Sequence, residues 1–355
     1  MTVAPPLPPS ARPQRDPLAA IAVPLAPIVL EGRYRLLVGA LWRLGRSRKG
    51  RWALAAGSGA LVVVLALLAA RHFATTSWPL ASGNPGLLVV AGLLLLLAQA
   101  LKAYGWGRLF TLEERPGVLA LAAGNGGAAL IGVVLPGRFD DAMRVAVVRR
   151  YPGCRAGVRA LCLSLVMLGL IDSAALAPLA FAAALFPGAG IGVRAGLAVV
   201  AVAGVAAAAV ILALPRLAAS RQALRFRLGR WLNPRTTSRR AASEAWALVS
   251  ACWLLRAVAL FLLLGTLGVG FSFPLALLFL CAGAAAAALP IGPAGAATQV
   301  GASGAALIAS GVGSSDALSV AVSVGALGIF SGAAIFLVAV AWPTGLALAR
   351  TRAAA

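Results

Sequence analysis

Apolar residues gather along this chain into long unbroken blocks of Leu, Ala and Val, at about 52–70, 86–104, 160–186, 193–214, 244–268 and 317–346. A bilayer core of ~30 Å takes roughly 20 apolar residues per spanning helix, so each block predicts one span. Barrel strands would instead alternate apolar and polar positions over about 10 residues, and no such alternation is present. Helices remain as the way to satisfy the backbone in lipid. The pattern predicts an all-α polytopic membrane protein with about six full spans, and the leftover apolar runs point to broken or re-entrant helices besides.

The first leftover run, about 117 to 135, ends in "VVLPGRFDDAMRVAVVRR", Val133 to Arg150. Arg115 stands before it, and Arg138, Arg144, Arg149, Arg150, Arg155 and Arg159 stand after it. A crossing helix would carry six arginines to the far side. Re-entry avoids that: the segment enters from the cytoplasm, breaks at Pro136 and Gly137 where proline cannot continue a helix, and returns. Two more short runs, 273–289 and 296–312, are joined by "LPIGPAGAAT", with breaks at Pro290, Gly292, Pro293 and Gly295. They read either as two thin spans or as one hairpin dipping from outside. "AALIGVVLPGRFDDA" and "CAGAAAAALPIGPAGA" share a small-residue run, then Leu-Pro, then glycine. Opposed broken helices of this kind form inverted repeats around transporter binding sites, although chance likeness in an Ala/Leu/Gly-rich chain competes with that reading.

Charge refines the picture. The 355 residues are 61% hydrophobic and 11% charged, mean hydropathy is +0.95, and the formal charge is +22. In a soluble chain that charge would point to nucleic acid, but here the basic residues crowd into connections. Arg33 to Arg51 precede the first span, Lys102, Arg108 and Arg115 follow the second, and eight arginines fill 216–240. This is the positive-inside distribution, and it predicts a multi-pass plasma-membrane protein with both termini cytoplasmic. Anionic lipid is the partner such clusters favour, at ~1 kcal/mol per basic residue near the surface, and no nucleic acid is expected.

The domain reading is a Pro-rich disordered tail over 1–30 that lacks a signal-peptide core, a basic interfacial helix over 31–51, and a transmembrane domain over 52–348 with an Arg-rich cytoplasmic loop at 216–240. Four scattered cysteines show no CxxC spacing, and no metal, cofactor or nucleotide motif occurs, so neither a metal nor a cofactor is expected. Trp42, Trp52, Trp78, Trp106 and Trp342 fall near span ends, as an aromatic belt would. His72 reads as an interfacial loop residue, and Ser314, Ser315 and Asp316 read as the cap of the last helix.

Several polar residues fall inside or beside spans. Asp140 and Asp141 lie in a first helical turn with Arg144 in the favourable i,i+4 order, which reads either as local pairing or as positioning of Arg138 and Arg144 toward a phosphate. Asp172 and Arg256 each fall mid-span, where a charge costs ~2.5–3.5 kcal/mol on insertion scales. They read as a mutual ion pair or as part of a headgroup or proton pathway. Gln99, Thr298 and Gln299 are either polar lining or helix-to-helix hydrogen bonds.

"LPGRFDDAMRVAVVRR", "ALCLSLVMLGLIDSAAL" and "LPIGPAGAATQVGASGAALIASGV" together resemble the transmembrane region of lysylphosphatidylglycerol synthases and related flippase-like proteins, over roughly residues 40 to 345. Arg138, Asp140 or Asp141, Arg144 and Asp172 fit that family's pattern. The family's arginine just before Asp172 is replaced by Leu-Gly, and no acid follows Gly295, where Thr298 and Gln299 stand instead. The resemblance implies a protein that binds or flips a lipid, with Arg138, Asp141, Arg144 and Asp172 as headgroup candidates; the residues themselves add Arg256, Thr298 and Gln299, and no catalytic residue is expected. Its lipid would be an anionic or aminoacylated phospholipid, or a polyprenyl-phosphate carrier. The sequence reads as a membrane part without the synthases' aminoacyl-transferring domain, with an enzyme of lipid-linked glycan assembly and a non-catalytic scaffold as the other classes expected, and a homo-oligomer is compatible with each.

Overall fold

The computed structural model describes residues 79–131, 139–186, 188, 190–288 and 295–354. The tail, the interfacial helix, the span at 52–70, His72, Trp42, Trp52, Trp78, Arg138 and both Leu-Pro breaks lie outside the described residues. So do Pro136, Gly137, Pro290, Gly292 and Pro293.

The described chain is all helix and turn. In order come α1 (Pro79–Ser82), α2 (Pro85–Gly107), α3 (Val118–Ile131), α4 (Phe139–Arg150), α5 (Val158–Ala184) and α6 (Ile191–Ala218). They are followed by α7 (Arg221–Arg225), α8 (Arg227–Leu232), a 3-10 turn (Asn233–Arg235), α9 (Arg239–Thr266), α10 (Phe273–Ala288), α11 (Gly295–Ala309) and α12 (Ser314–Ala354). Among the described residues, α2, α5, α6, α9 and the Ser314–Ala341 part of α12 are long and apolar enough to cross a membrane. The Arg-rich connection at 216–240 is thus built largely of short helices.

Local chemistry explains where the long helices start. Asn84 caps α2 by accepting from the Gly86 and Leu87 amides at 3.0 and 3.3 Å, and Pro85 occupies the first turn, where its missing N–H costs nothing. Ser238 caps α9 through the Ala241 amide at 3.2 Å. Small residues then let the helices close on one another. A Cβ at Gly204 of α6 would collide with the Ser173 carbonyl oxygen of α5, so only glycine permits that approach.

By contrast α3, α4, α10 and α11 have 14, 12, 16 and 15 residues. At 1.5 Å per residue the described residues of none of them reach across ~30 Å. They pair instead. Gly124 of α3 abuts Val148 of α4 while Gly127 abuts Val147, and Ser303 of α11 donates to the Phe279 carbonyl of α10 at 2.9 Å while Gly283 faces the same serine. Each pair is an antiparallel helical hairpin.

The packing repeats itself. Exchanging α2 with α9, α3 with α10, α4 with α11 and α5 with α12 carries the contacts onto one another: α2 on α3 matches α9 on α10, α3 on α12 matches α10 on α5, and α2 on α12 matches α9 on α5. Direction reverses between the halves. Arg108, just past the end of α2, meets Glu244 near the start of α9 at 3.4 Å, and Tyr151, ahead of α5, donates to the Ala339 carbonyl near the end of the α12 span at 2.6 Å. The fold is an inverted repeat, with α6 added after its first half.

Candidate functional site

Both hairpins lean on α12, from opposite ends. A Cβ at Gly126 would lie 2.6 Å from the Gly332 carbonyl oxygen, and one at Gly332 would lie 2.6 Å from the Ala129 Cβ, so the far end of α3 sits against residue 332. From the other side, Gly304 of α11 faces Ala321 and Val300 faces Gly325. The far end of α3 and the near end of α11 therefore both arrive beside residues 325–332, close to the middle of the Ser314–Ala341 span. Thr298 and Gln299 lie in the first turn of α11, the former half-buried and the latter exposed. The two short runs at 273–289 and 296–312 accordingly form one hairpin rather than two thin spans.

Asn125 of α3 lies one turn from Leu121, which meets Gly107 of α2, and one turn from Ala129, which meets Gly332. It is 4% exposed, and neither its Oδ1 nor its Nδ2 has a hydrogen-bond partner. An unmet buried amide costs ~1–3 kcal/mol, so Asn125 is a strained point in the middle of α3. Sequence reasoning passed over Asn125, although an asparagine inside the glycine-rich apolar string "GNGG" was a readable signal.

On α4 the geometry decides for local pairing. Arg144 meets Asp141 at 2.5 Å and Asp140 at 3.4 Å, so two carboxylates surround one guanidinium. Both terminal nitrogens of Arg144 are thereby paired, while its Nε is buried without a partner.

The mid-span charges are arranged differently from the sequence expectation. Asp172 does not pair with Arg256. Its Oδ2 takes the Lys102 ammonium at 2.7 Å and its Oδ1 accepts from the Trp253 indole N–H at 3.2 Å. Lys102, read from sequence as a connection residue, belongs to α2, which continues five residues beyond it, and its side chain is 12% exposed. Arg256 joins the group through the same tryptophan, its guanidinium 5.2 Å from the Trp253 ring centroid. Among the described residues no carboxylate stands within ion-pair distance of Arg256. Two cations thus share one carboxylate and one indole, a net positive cluster in the middle of α5 and α9. Trp106 is a second correction. It is fully buried and donates to Ser164 Oγ at 2.9 Å, because its indole fills the α2–α3–α5 core instead of a headgroup belt.

At the Arg-rich end, Arg235 ties the 3-10 turn to Glu114 at 3.1 Å, and Glu244 is shared by Arg108 and Arg240. Burial raises the Tyr151 phenol above its ordinary pKa, and its hydroxyl donates to the Ala339 carbonyl. Within the first turn of α12, Ser315 donates to the side chain of the neighbouring Asp316.

Comparison with curated proteins and with solved structures finds no match. The family model described as "Lysylphosphatidylglycerol synthase TM region" matches residues 51–335, which takes in both hairpins, the Lys102–Asp172 cluster and most of α12. With well over half of its length matched, this chain belongs to the lysylphosphatidylglycerol synthase transmembrane-region family.

Proposed function

We propose that the chain binds a phospholipid-type headgroup inside the membrane and moves it between leaflets, acting as a transporter and not as an enzyme. One observation carries the reading: two oppositely directed helical hairpins end beside the middle of the same spanning helix, which is how transporters expose backbone and polar side chains at mid-depth without exposing them to lipid. Membership in a lipid-associated membrane family points the same way. The Arg-rich end is cytoplasmic by the positive-inside rule, in the plasma membrane, with both termini on that side.

The pairing pattern shifts the weight among candidate anchors. Arg144 is neutralised by two acids, so the phosphate falls to Arg256, which has an unmatched charge, and to Arg138, which precedes the α4 N-terminus in the chain. The open donor and acceptor of Asn125 would face the polar headgroup, and Thr298 and Gln299 would serve from the second hairpin. Anionic phospholipid, aminoacylated phospholipid and polyprenyl-phosphate each present the phosphate this arrangement needs.

Translocation of a fluorescent headgroup-labelled lipid in proteoliposomes tests the proposal. Wild type should exceed protein-free vesicles, Arg138→Ala and Arg256→Gln should each lose about tenfold, a loss of ~1.4 kcal/mol, and Arg144→Ala should lose less. Asn125→Leu should stop transport while raising the unfolding temperature, because it removes an unsatisfied amide. Wild-type rates equal to those of empty vesicles across all three lipid classes would favour the scaffold reading.

A further inference from the structure

A second basic feature lies on the surface of the bundle, away from the hairpin ends. At the Arg-rich end, Ala209, Leu212 and Ala213 of α6, with Arg216 in its last turn, face Arg239 in the first turn of α9 across a cavity of about 410 Å³. The wall is apolar and the rim is two guanidiniums. Both arginines are exposed, and among the described residues neither has an ion pair or hydrogen bond. The nearby acids are already engaged, Glu244 by Arg108 and Arg240 and Glu114 by Arg235. Arg239 also carries its charge at a helix N-terminus, where the dipole disfavours a cation, and no carboxylate offsets it as Glu244 offsets Arg240. Two like charges at one cavity without an acid are complementary to an anion.

The apolar wall says what kind of anion. Val202, Val205, Ala209, Leu212 and Arg216 follow one another at three- and four-residue steps and so line one face of α6. Val202, Val205 and Leu212 are 69%, 66% and 55% exposed, and the stripe runs roughly 21 Å from Arg216 toward the opposite end at 1.5 Å per residue. A free phosphate has no use for that stripe. A lipid uses both parts, its phosphate at the two arginines and an acyl chain along the small side chains of α6.

We propose that this groove between α6 and the start of α9 is a binding site for one anionic phospholipid of the leaflet at the Arg-rich end. The site does not depend on translocation, since none of its lining residues belongs to the hairpins or to the Lys102–Asp172 cluster. Paired guanidinium donors grip a phosphate, while a zwitterionic headgroup adds a cation that the two arginines repel.

The test is native mass spectrometry of the full chain in mild detergent, titrated with phosphatidylglycerol or with phosphatidylcholine. Wild type should retain one phosphatidylglycerol in preference to phosphatidylcholine. Arg216→Gln with Arg239→Gln should weaken that retention at least about tenfold. Because both side chains are exposed, helicity and unfolding temperature should not change. The charge-matched pair Arg221→Gln with Arg225→Gln, also at the Arg-rich end, should retain the lipid as wild type does. The proposal is overturned if wild type holds the two lipids equally, if both double variants lose retention alike, or if inorganic phosphate displaces the lipid at the concentration at which phosphatidylglycerol itself competes.

Discussion

At Asp172 the structure places three groups whose worth depends on each other. The carboxylate has Lys102 on one oxygen and Trp253 on the other, while Arg256 lies against the face of the same tryptophan. Removing one member of a buried pair strands the other charge, at about 3–5 kcal/mol, whereas removing both relieves much of that loss. Lys102→Met and Asp172→Asn should therefore each lower the unfolding temperature in detergent, and the double variant should fall well short of their sum. Arg256→Gln combined with Asp172→Asn should lie closer to additivity, since no direct ion pair joins them. Double-mutant cycles by thermal unfolding check this, and equal coupling in the two cycles would return Arg256 to the role of partner. The sequence could not reveal Lys102 as that partner. Helix α2 runs five residues past Lys102 through "AYGWG", a string whose glycines and aromatics look like a connection, and the pair spans 70 positions with no local signature.

Among the elements, the hairpins depend on how closely α3 can approach α12. Gly126 and Gly332 let backbone meet backbone, and any side chain there must push the hairpin off the spanning helix. Overpacking of this kind costs ~1–3 kcal/mol or more. Gly126→Val should cut the unfolding temperature and transport together. By comparison Gly92→Ala, inside α2 with open space around its Cβ position, should be neutral or stabilising by up to ~1 kcal/mol through helix propensity. Comparable losses at both sites would mean that the α3–α12 contact has no special role. Element lengths were legible in the sequence because the apolar runs are continuous and their ends are marked by charge or proline. Lateral contacts were not, since in an Ala/Leu/Gly chain almost every helix face looks alike. The two leftover short runs do correspond to the two helix pairs, while both Leu-Pro breaks between them lie outside the described residues.

For the whole molecule, the inverted repeat and the charge distribution make one joint statement about sides. Arg108, Arg115, Arg149, Arg150, Arg216 and the arginines of 221–240 lie at one end of the bundle, and among the described residues Arg194 is the only cation at the other. Because α3 and α4 form a hairpin, Arg115 and Arg149 share an end although an apolar run separates them. A model in which 118–131 crosses would place them on opposite sides. In a background where Cys154, Cys162, Cys252 and Cys281 are replaced, Arg115→Cys and Arg149→Cys should both resist an impermeant thiol reagent applied to intact cells. Arg194→Cys should label, and all three should label once the membrane is opened. Labelling of Arg149→Cys but not Arg115→Cys in intact cells would show that the first hairpin crosses, and the inverted repeat would go with it. Labelling of both with protection of Arg194→Cys would keep the fold and reverse its orientation, against the arginine asymmetry that sets insertion.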